Sequence, residues 1–504
     1  MRSASRLSSI PAGVLAILLS LLIASCSKLG GGGGVAVDDG NSPSSIVDLT
    51  VKAVTPSSVT LSWTAPGDDS TAGTAAAYEI RYSPREITWQ NWDSAMHVTG
   101  APAPHPSGST DSMVIGGLMA DSSYFFALTA RDEANNWSWL SNCVNAVCFN
   151  DFEVAFPDPH LDQIVRTAIG KPTGAIHRSE LLAVQLIDAN DDSVADLSGI
   201  EHCLNLTGLL LWNNRVSDLT PLAGLTKLTG LGLGQNLITD ISPLAGLVNL
   251  QLLHLQNNSI TDISALANMT KLTDVALAYN SITSIAPLAG KTLIANITLD
   301  NNDISDISPL SGYTILHLLD LSDNQIVNVT PLSGLTNLTS LSLYNNQVVD
   351  VSPLAGLTNL TMLNLWNNEI NDIASLSGLT KLTYLALINN HVPSVSAVSG
   401  MTSLQYLYIS YNPVSDISPV VGLTALNDLQ FQFCQVVDIS ALSGLLNLQK
   451  LVLYYNQITD ITPLVNNLGL GTGDLIYLRG NPLSTHSTDD LLPVLRARGV
   501  TVDY

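Results

Sequence analysis

The sequence predicts a multidomain, mainly β protein: a β-sandwich, then a solenoid of short stacked repeats closed by a cap at each end. Three observations carry that reading. Asparagine recurs every 22 residues through most of the second half of the chain, a fixed period that marks a repeat architecture. Ahead of the repeats, short alternating runs are parted by turn residues, as in a sandwich. Finally, 504 residues exceed one compact core, while 46% hydrophobic and 12% charged residues exclude disorder for most of the chain. Lys and Arg number 19 against 42 Asp and Glu, a net charge of −23, which argues against a nucleic-acid partner.

At the N-terminus, Arg2 and Arg6 precede the apolar stretch Ile10–Ala24. That stretch is shorter than the roughly 20 residues a membrane span needs and has the layout of a secretory signal. Its end, Ile23-Ala24-Ser25-Cys26, resembles the bacterial lipoprotein signal. The resemblance implies that residues 1–25 are removed and that Cys26 is the lipidation site. Residues 26–45, with Gly30–Gly34, read as a flexible Gly/Ser-rich tether. The expected location is the bacterial cell envelope, membrane-anchored through the N-terminal lipid only and extracytoplasmic, at the outer membrane or cell surface.

Residues 46–149 supply the sandwich, with strands at Val59–Trp63, Tyr78–Tyr82 and Tyr124–Ala130. Trp63 in the second strand, Leu118 six residues before a corner Tyr124, and the turn Arg131–Ser138 resemble a fibronectin type III domain. Residues 150–186 form a helical cap. Asp158 can N-cap a helix with Pro159 in its first turn, Gly170 ends it, and Leu161, Ile164, Val165 and Ala168 share a face. A solenoid requires such a cover over its open apolar end.

Residues 187–483 hold 14 repeats, from Asp192 through Asn214, Asn236 and so on to Asn412, Cys434, Asn456 and Asn481. The last step is 25 residues, the three additional ones falling near Gly469–Gly473. Most repeats fit Leu-x-x-Leu-x-Leu-x-x-Asn-x-Ile-x-Asp-Ile-x-Pro-Leu, as at Leu250–Ile263. This is a leucine-rich repeat of the short kind, and it resembles the internalin family of bacterial surface proteins. Residues 484–504 fit a C-terminal cap. In the repeat, Leu-x-Leu lays one short parallel strand with both leucines inward, and the Asn amide serves turn backbone that would otherwise be buried unpaired. Cys434 can replace it in part through a weak S–H donor. Asp218, Asp240, Asp262, Asp306, Asp350, Asp372, Asp416, Asp438 and Asp460 follow the Asn position by four and read as turn caps rather than calcium ligands.

The nine histidines show no ligand spacing, and neither a phosphate loop nor a nucleophile elbow is present. No enzyme, cofactor, metal site or catalytic residue is expected. Among the five cysteines, Cys203 and Cys434 lie roughly 50 Å apart at about 4.8 Å per stacked strand. Cys143 and Cys148 are the candidates for a disulfide.

Side chains alternate along a strand, so residues two, four and six before each Asn face the concave solvent side, and the residue just before it sits at the rim. These positions hold Tyr344, Trp366, Tyr384, Tyr406, Tyr408, Tyr411, Phe433, Tyr454, Tyr455 and Tyr477 in the C-terminal half. Earlier repeats supply only Trp212 and Tyr279, with Asp274, Asp300, Asp320 and Asp323 in or beside the middle. Exposed Tyr and Trp on a rigid sheet are the usual hot-spot residues. The expected function is lipid-anchored recognition of a macromolecule, with a protein as the partner. A carbohydrate-binding or envelope-organising lipoprotein is the alternative.

Overall fold

The computed structural model describes residues 41–504, and the chain divides into two units between Asn150 and Asp151. Cys26, the signal segment and most of the tether lie outside the described residues.

The first unit is the sandwich. Strands β1 (Thr50–Thr55), β2 (Ser58–Thr64) and β5 (Thr110–Gly116) form one sheet, ordered β1-β2-β5. Strands β3 (Ala77–Ser83), β4 (Met96–His97), β6 (Ser122–Arg131) and β7 (Val144–Cys148) form the other, ordered β4-β3-β6-β7. Their inner faces bury Trp63, Ile80, Phe126 and Leu128, with Trp63 edge-on to Tyr78 at 5.1 Å. The Tyr124 hydroxyl accepts from the Met119 N–H at 3.0 Å, which fixes the corner expected there. Asp132 accepts from the Asn136 N–H at 2.7 Å and shapes the turn that follows β6.

Cys143 and Cys148 form no disulfide with each other. They stand five positions apart along an extended stretch, an odd offset, so they point to opposite faces. Cys148 sits in the main sandwich core, whereas Cys143 packs against a second cluster around Ile87, Trp92 and Ala127.

The second unit opens with helix α1 (Pro159–Ile169). One Asp158 oxygen accepts from the N–H groups of His160 and Leu161 at 2.9 and 3.2 Å, and Gly170 ends the helix at φ 68°. The other oxygen accepts from Ala195 and Asp196 in the first repeat, at 2.7 and 3.1 Å. A single carboxylate therefore ties cap to solenoid. Leu161 and Val165 are buried, and Ile164 and Ile169 pack beside them. Ala168 lies on the same face but is exposed, because its methyl is too short to reach the core that the longer Ile164 and Ile169 side chains pack against.

The repeats form one parallel sheet of 15 three-residue strands, from Leu186–Asp188 to Thr501–Asp503. Register advances by one repeat per strand, as in Leu209 opposite Leu231 and Leu385 opposite Leu407. Fourteen strands come from the repeats, and the last follows the C-terminal helix Leu492–Ala497. Inward leucines such as Leu319, Leu321, Leu363 and Leu365 are buried, each worth roughly 1.5–3 kcal/mol. Most return segments are short 3-10 helices such as Ser308–Leu310, where Pro309 sets φ in the first turn, and the one at Thr462–Asn466 is α-helical.

Two side-chain ladders hold the turns. The Asn324 amide donates to the carbonyls of Leu299, Leu321 and Ser322 at 3.0, 3.1 and 2.9 Å, and its oxygen accepts from Ile304 N–H at 2.9 Å. At Cys434 only two long sulfur contacts replace this set, 3.8 Å to Ile409 O and 3.7 Å to Gln432 O. The aspartates cap as expected: Asp306 and Asp416 each accept, at 2.8 Å, from the N–H two residues on. Much of the acidic charge is thus architectural.

Candidate recognition surface

The residue before each ladder position adopts left-handed backbone, φ 51–58° from Asn213 to Tyr455. Asn occupies that position at residues 213, 257, 301, 345, 367 and 389, as expected of the side chain that best tolerates it after Gly. Asp323 shares that tolerance, whereas Gln235 and the aromatic residues Tyr279, Tyr411, Phe433 and Tyr455 break the rule. The last three stand in successive repeats and stack, Tyr411 on Phe433 at 4.6 Å and 15°, Phe433 on Tyr455 at 4.5 Å and 18°. They remain 45%, 42% and 48% exposed. Gly480 continues the row, where any Cβ would strike the Tyr455 ring. The left-handed backbone is a feature the sequence reading missed, and the recurrent Asn was its signal.

Ring contacts gather the ten aromatics into four groups. Besides the rim stack, Tyr344 meets Trp366 at 6.2 Å, Tyr384 meets Tyr406 and Tyr408 at 6.3 and 5.5 Å, and Tyr454 meets Tyr477 at 5.4 Å. Trp366 and Tyr406 are exposed; Tyr344, Tyr384, Tyr408, Tyr454 and Tyr477 are half-buried. Several phenols already have partners. Tyr408 donates to Asp428 at 3.2 Å, a carboxylate that also pairs with Lys450 at 3.4 Å. Tyr454 donates to Asp503 at 2.6 Å, and burial together with that carboxylate pushes its pKa up to about 12. The Asp323 carboxylate, with burial, holds the Tyr344 proton well above its usual range. Trp212, at the opposite end of the face, lies over Gly234, where a Cβ would run into its ring.

Between the aromatic half and Trp212 the face is acidic. Asp274 pairs with His254 at 2.9 Å and accepts from the Asn296 amide at 3.0 Å. Burial and the neighbouring Asp320 and Asp323 raise the Asp300 pKa. From Asp274 to Gln432 the three concave positions of each repeat contain no Lys or Arg. The surface can therefore offer aromatic edges, phenols and negative charge to a partner. Among the described residues no group of three or more His, Cys, Asp or Glu could hold a metal ion, and no helix is long and apolar enough to cross a membrane.

Residues 41–143 match the fibronectin type III domain, and residues 204–246, 248–290, 316–356 and 358–400 match paired leucine-rich repeats. No curated protein matches the chain. Among solved structures, an internalin of Listeria monocytogenes is 36% identical, with TM-score 0.60, over 62% of this chain and 94% of that one. A leucine-rich repeat protein of Leptospira interrogans is 23% identical, with TM-score 0.59, over 65% and 85%. The ectodomain of an Arabidopsis thaliana receptor kinase, in complex with Casparian strip integrity factor 2, is 20% identical with TM-score 0.53, over 64% and 44%. The last two share the fold. Identity to the Listeria protein across nearly its whole length places this chain in the internalin family of leucine-rich repeat proteins, with a fibronectin type III domain ahead of the repeats.

Proposed function

We propose that this protein is a non-enzymatic recognition protein that grips a protein partner on the C-terminal half of its concave face. Leucine-rich repeat proteins and internalins are typically protein-binding. The observation that carries the reading is the rim stack of Tyr411, Phe433 and Tyr455. Bulky residues in left-handed backbone cost roughly 1–2 kcal/mol each, and such strain collects at functional sites. Stacking returns about 0.5–1.5 kcal/mol per pair, so the fold gains little from having aromatics there. Stacking covers both faces of Phe433 and one face each of Tyr411 and Tyr455, which suits a protein surface better than a sugar ring seeking an open aromatic face.

The test replaces the three rim residues by the Asn that other repeats use: Tyr411→Asn, Phe433→Asn and Tyr455→Asn together. Affinity for the partner should fall by at least about 2 kcal/mol while thermal stability stays the same or rises. Unchanged affinity would refute the site. Trp366→Ala is a second probe. Tyr408 and Tyr454 are poorer probes, because their phenols brace Asp428 and Asp503.

Internalin-like proteins are surface or secreted bacterial proteins. In this proposal the chain is held at the cell envelope by acyl groups on Cys26, and lies outside the cytoplasm. Wild-type protein should partition into detergent and Cys26→Ala should not; equal partitioning would remove the anchor.

A further inference from the structure

We infer a second binding site, for a neutral carbohydrate, in a cleft on the edge of the solenoid. It holds about 430 Å³ and is lined by Gln405, Tyr406, Asn427, Leu446, Gln449 and Asp474, among others. A volume of this size falls within the range of about 300–1,000 Å³ common to small-ligand sites.

The cleft arises where the repeat is irregular. The 25-residue step to Asn481 brings Gly469 so close to the preceding repeat that any Cβ there would run into the Leu446 carbonyl. The loop from Gly469 to Asp474 then makes the far wall.

The lining changes at the same place. Seven residues before the ladder position, Thr207, Thr229, Thr273, Thr339, Thr361 and Thr383 each donate their hydroxyl to a carbonyl of the preceding repeat at 3.0–3.2 Å. Those hydroxyls are satisfied within the fold. Gln251, Ala295 and His317 interrupt that series singly or in a pair, whereas the next three repeats all carry a side-chain amide, Gln405, Asn427 and Gln449. Their backbone amides bond as before, at 2.9, 2.8 and 2.8 Å, but no hydrogen bond engages their side-chain amides among the described residues. The solenoid thus presents three successive amides, each with donors and an acceptor free.

That chemistry selects the ligand. No Lys or Arg lines the cleft, and its one carboxylate, Asp474, already accepts from Gly471 N–H at 2.8 Å. A neutral ligand is favoured over an ion. An amide matches a hydroxyl, which both donates and accepts. Spacing separates a sugar from an extended peptide. Neighbouring strands set the amides about 4.8 Å apart, whereas groups on one side of a peptide strand recur at roughly 6.8 Å. A peptide would lose register across three positions, while the closely set hydroxyls of a sugar chain need not. The exposed Tyr406 ring adds an apolar wall for the sugar's C–H face.

The experiment titrates the whole protein, by calorimetry and saturation-transfer NMR, with neutral tetrasaccharides built from glucose, mannose, galactose or N-acetylglucosamine. A neutral Ser/Asn-rich peptide runs alongside. At least one tetrasaccharide should bind, and Gln405→Leu with Gln449→Leu should weaken it about 10-fold or more. The rim variant should leave sugar binding intact, so this site and the protein-binding face fail independently. Circular dichroism verifies that the double variant is folded; Gln405→Ala with Gln449→Ala replaces it otherwise. Absence of binding across the panel, equal binding by the variants, or peptide binding at these residues would overturn the inference.

Discussion

Replacing Cys434 by Asn should stabilise the solenoid. Asn412 on one side donates at 2.8, 2.7 and 3.3 Å, and Asn456 on the other at 2.7, 3.0 and 3.2 Å. The Cys434 sulfur reaches two of the equivalent carbonyls only at 3.8 and 3.7 Å. On the accepting side, Val392 N–H and Val436 N–H find Asn oxygens at 2.9 and 3.0 Å, whereas position 434 offers Val414 N–H no amide oxygen at the equivalent place. Asn would supply about two stronger donations and a proper acceptor, each worth about 0.5–1.5 kcal/mol. Ordering a longer side chain offsets about half of that sum, leaving about 1–2 kcal/mol net. Because a repeat array does not unfold as one unit, the informative assay is hydrogen exchange at Val414. Slowing by about 10-fold corresponds to about 1.4 kcal/mol. Exchange at Val414 that stays the same or quickens would refute the hydrogen-bond account of the ladder.

Lys291 occupies an inward position that is Leu, Met or Tyr in neighbouring repeats, is only 3% exposed, and donates to Ala267 O at 2.9 Å. Lys291→Leu should raise stability by on the order of 1–3 kcal/mol in urea denaturation. Burial lowers the Lys291 pKa, so wild-type stability should rise with pH from that lowered pKa up to the unfolded value near about 10.4, and the variant should lose this rise. Asp158→Ala leaves four backbone donors without their carboxylate and should cost about 3 kcal/mol, read by exchange in α1 and the first repeat. Burial opposes ionisation of Asp158, but those four N–H groups prevail and lower its pKa. Its contribution is therefore full above about pH 4 and fades as pH falls through the lowered value, a fade that the Ala variant should lack.

Where function and position repeat together, the sequence was highly legible. The inward leucines, the Asn ladder, the Asp caps and the double signal of Asp158 and Gly170 all follow from local geometry that one residue type satisfies best. Ala168 was misplaced because a helix face is decided by side-chain reach as well as by angle. A Cys143–Cys148 disulfide is excluded by strand parity, which sends residues an odd number apart to opposite faces. Which aromatics touch was illegible: Tyr384 against Tyr408 depends on rotamers, and although the recurrent Asn marks the left-handed backbone, nothing in the period shows that Tyr411, Phe433 and Tyr455 stack there. The cleft had a visible cause in the longer last step, yet its lining emerges only when three repeats are laid side by side.

Recognition through the rim is tested most directly by paired capture and melting. Immobilised wild-type protein, the Tyr411→Asn/Phe433→Asn/Tyr455→Asn variant and a Leu252→Ser control in the N-terminal half are exposed to the same extracellular protein mixture, and bound proteins are quantified. At least one protein should be retained by wild type and control and lost from the rim variant, with the variant's melting temperature equal to or above wild type. Equal retention by all three, or loss only from the Leu252→Ser control, would contradict the assignment of the partner to this face.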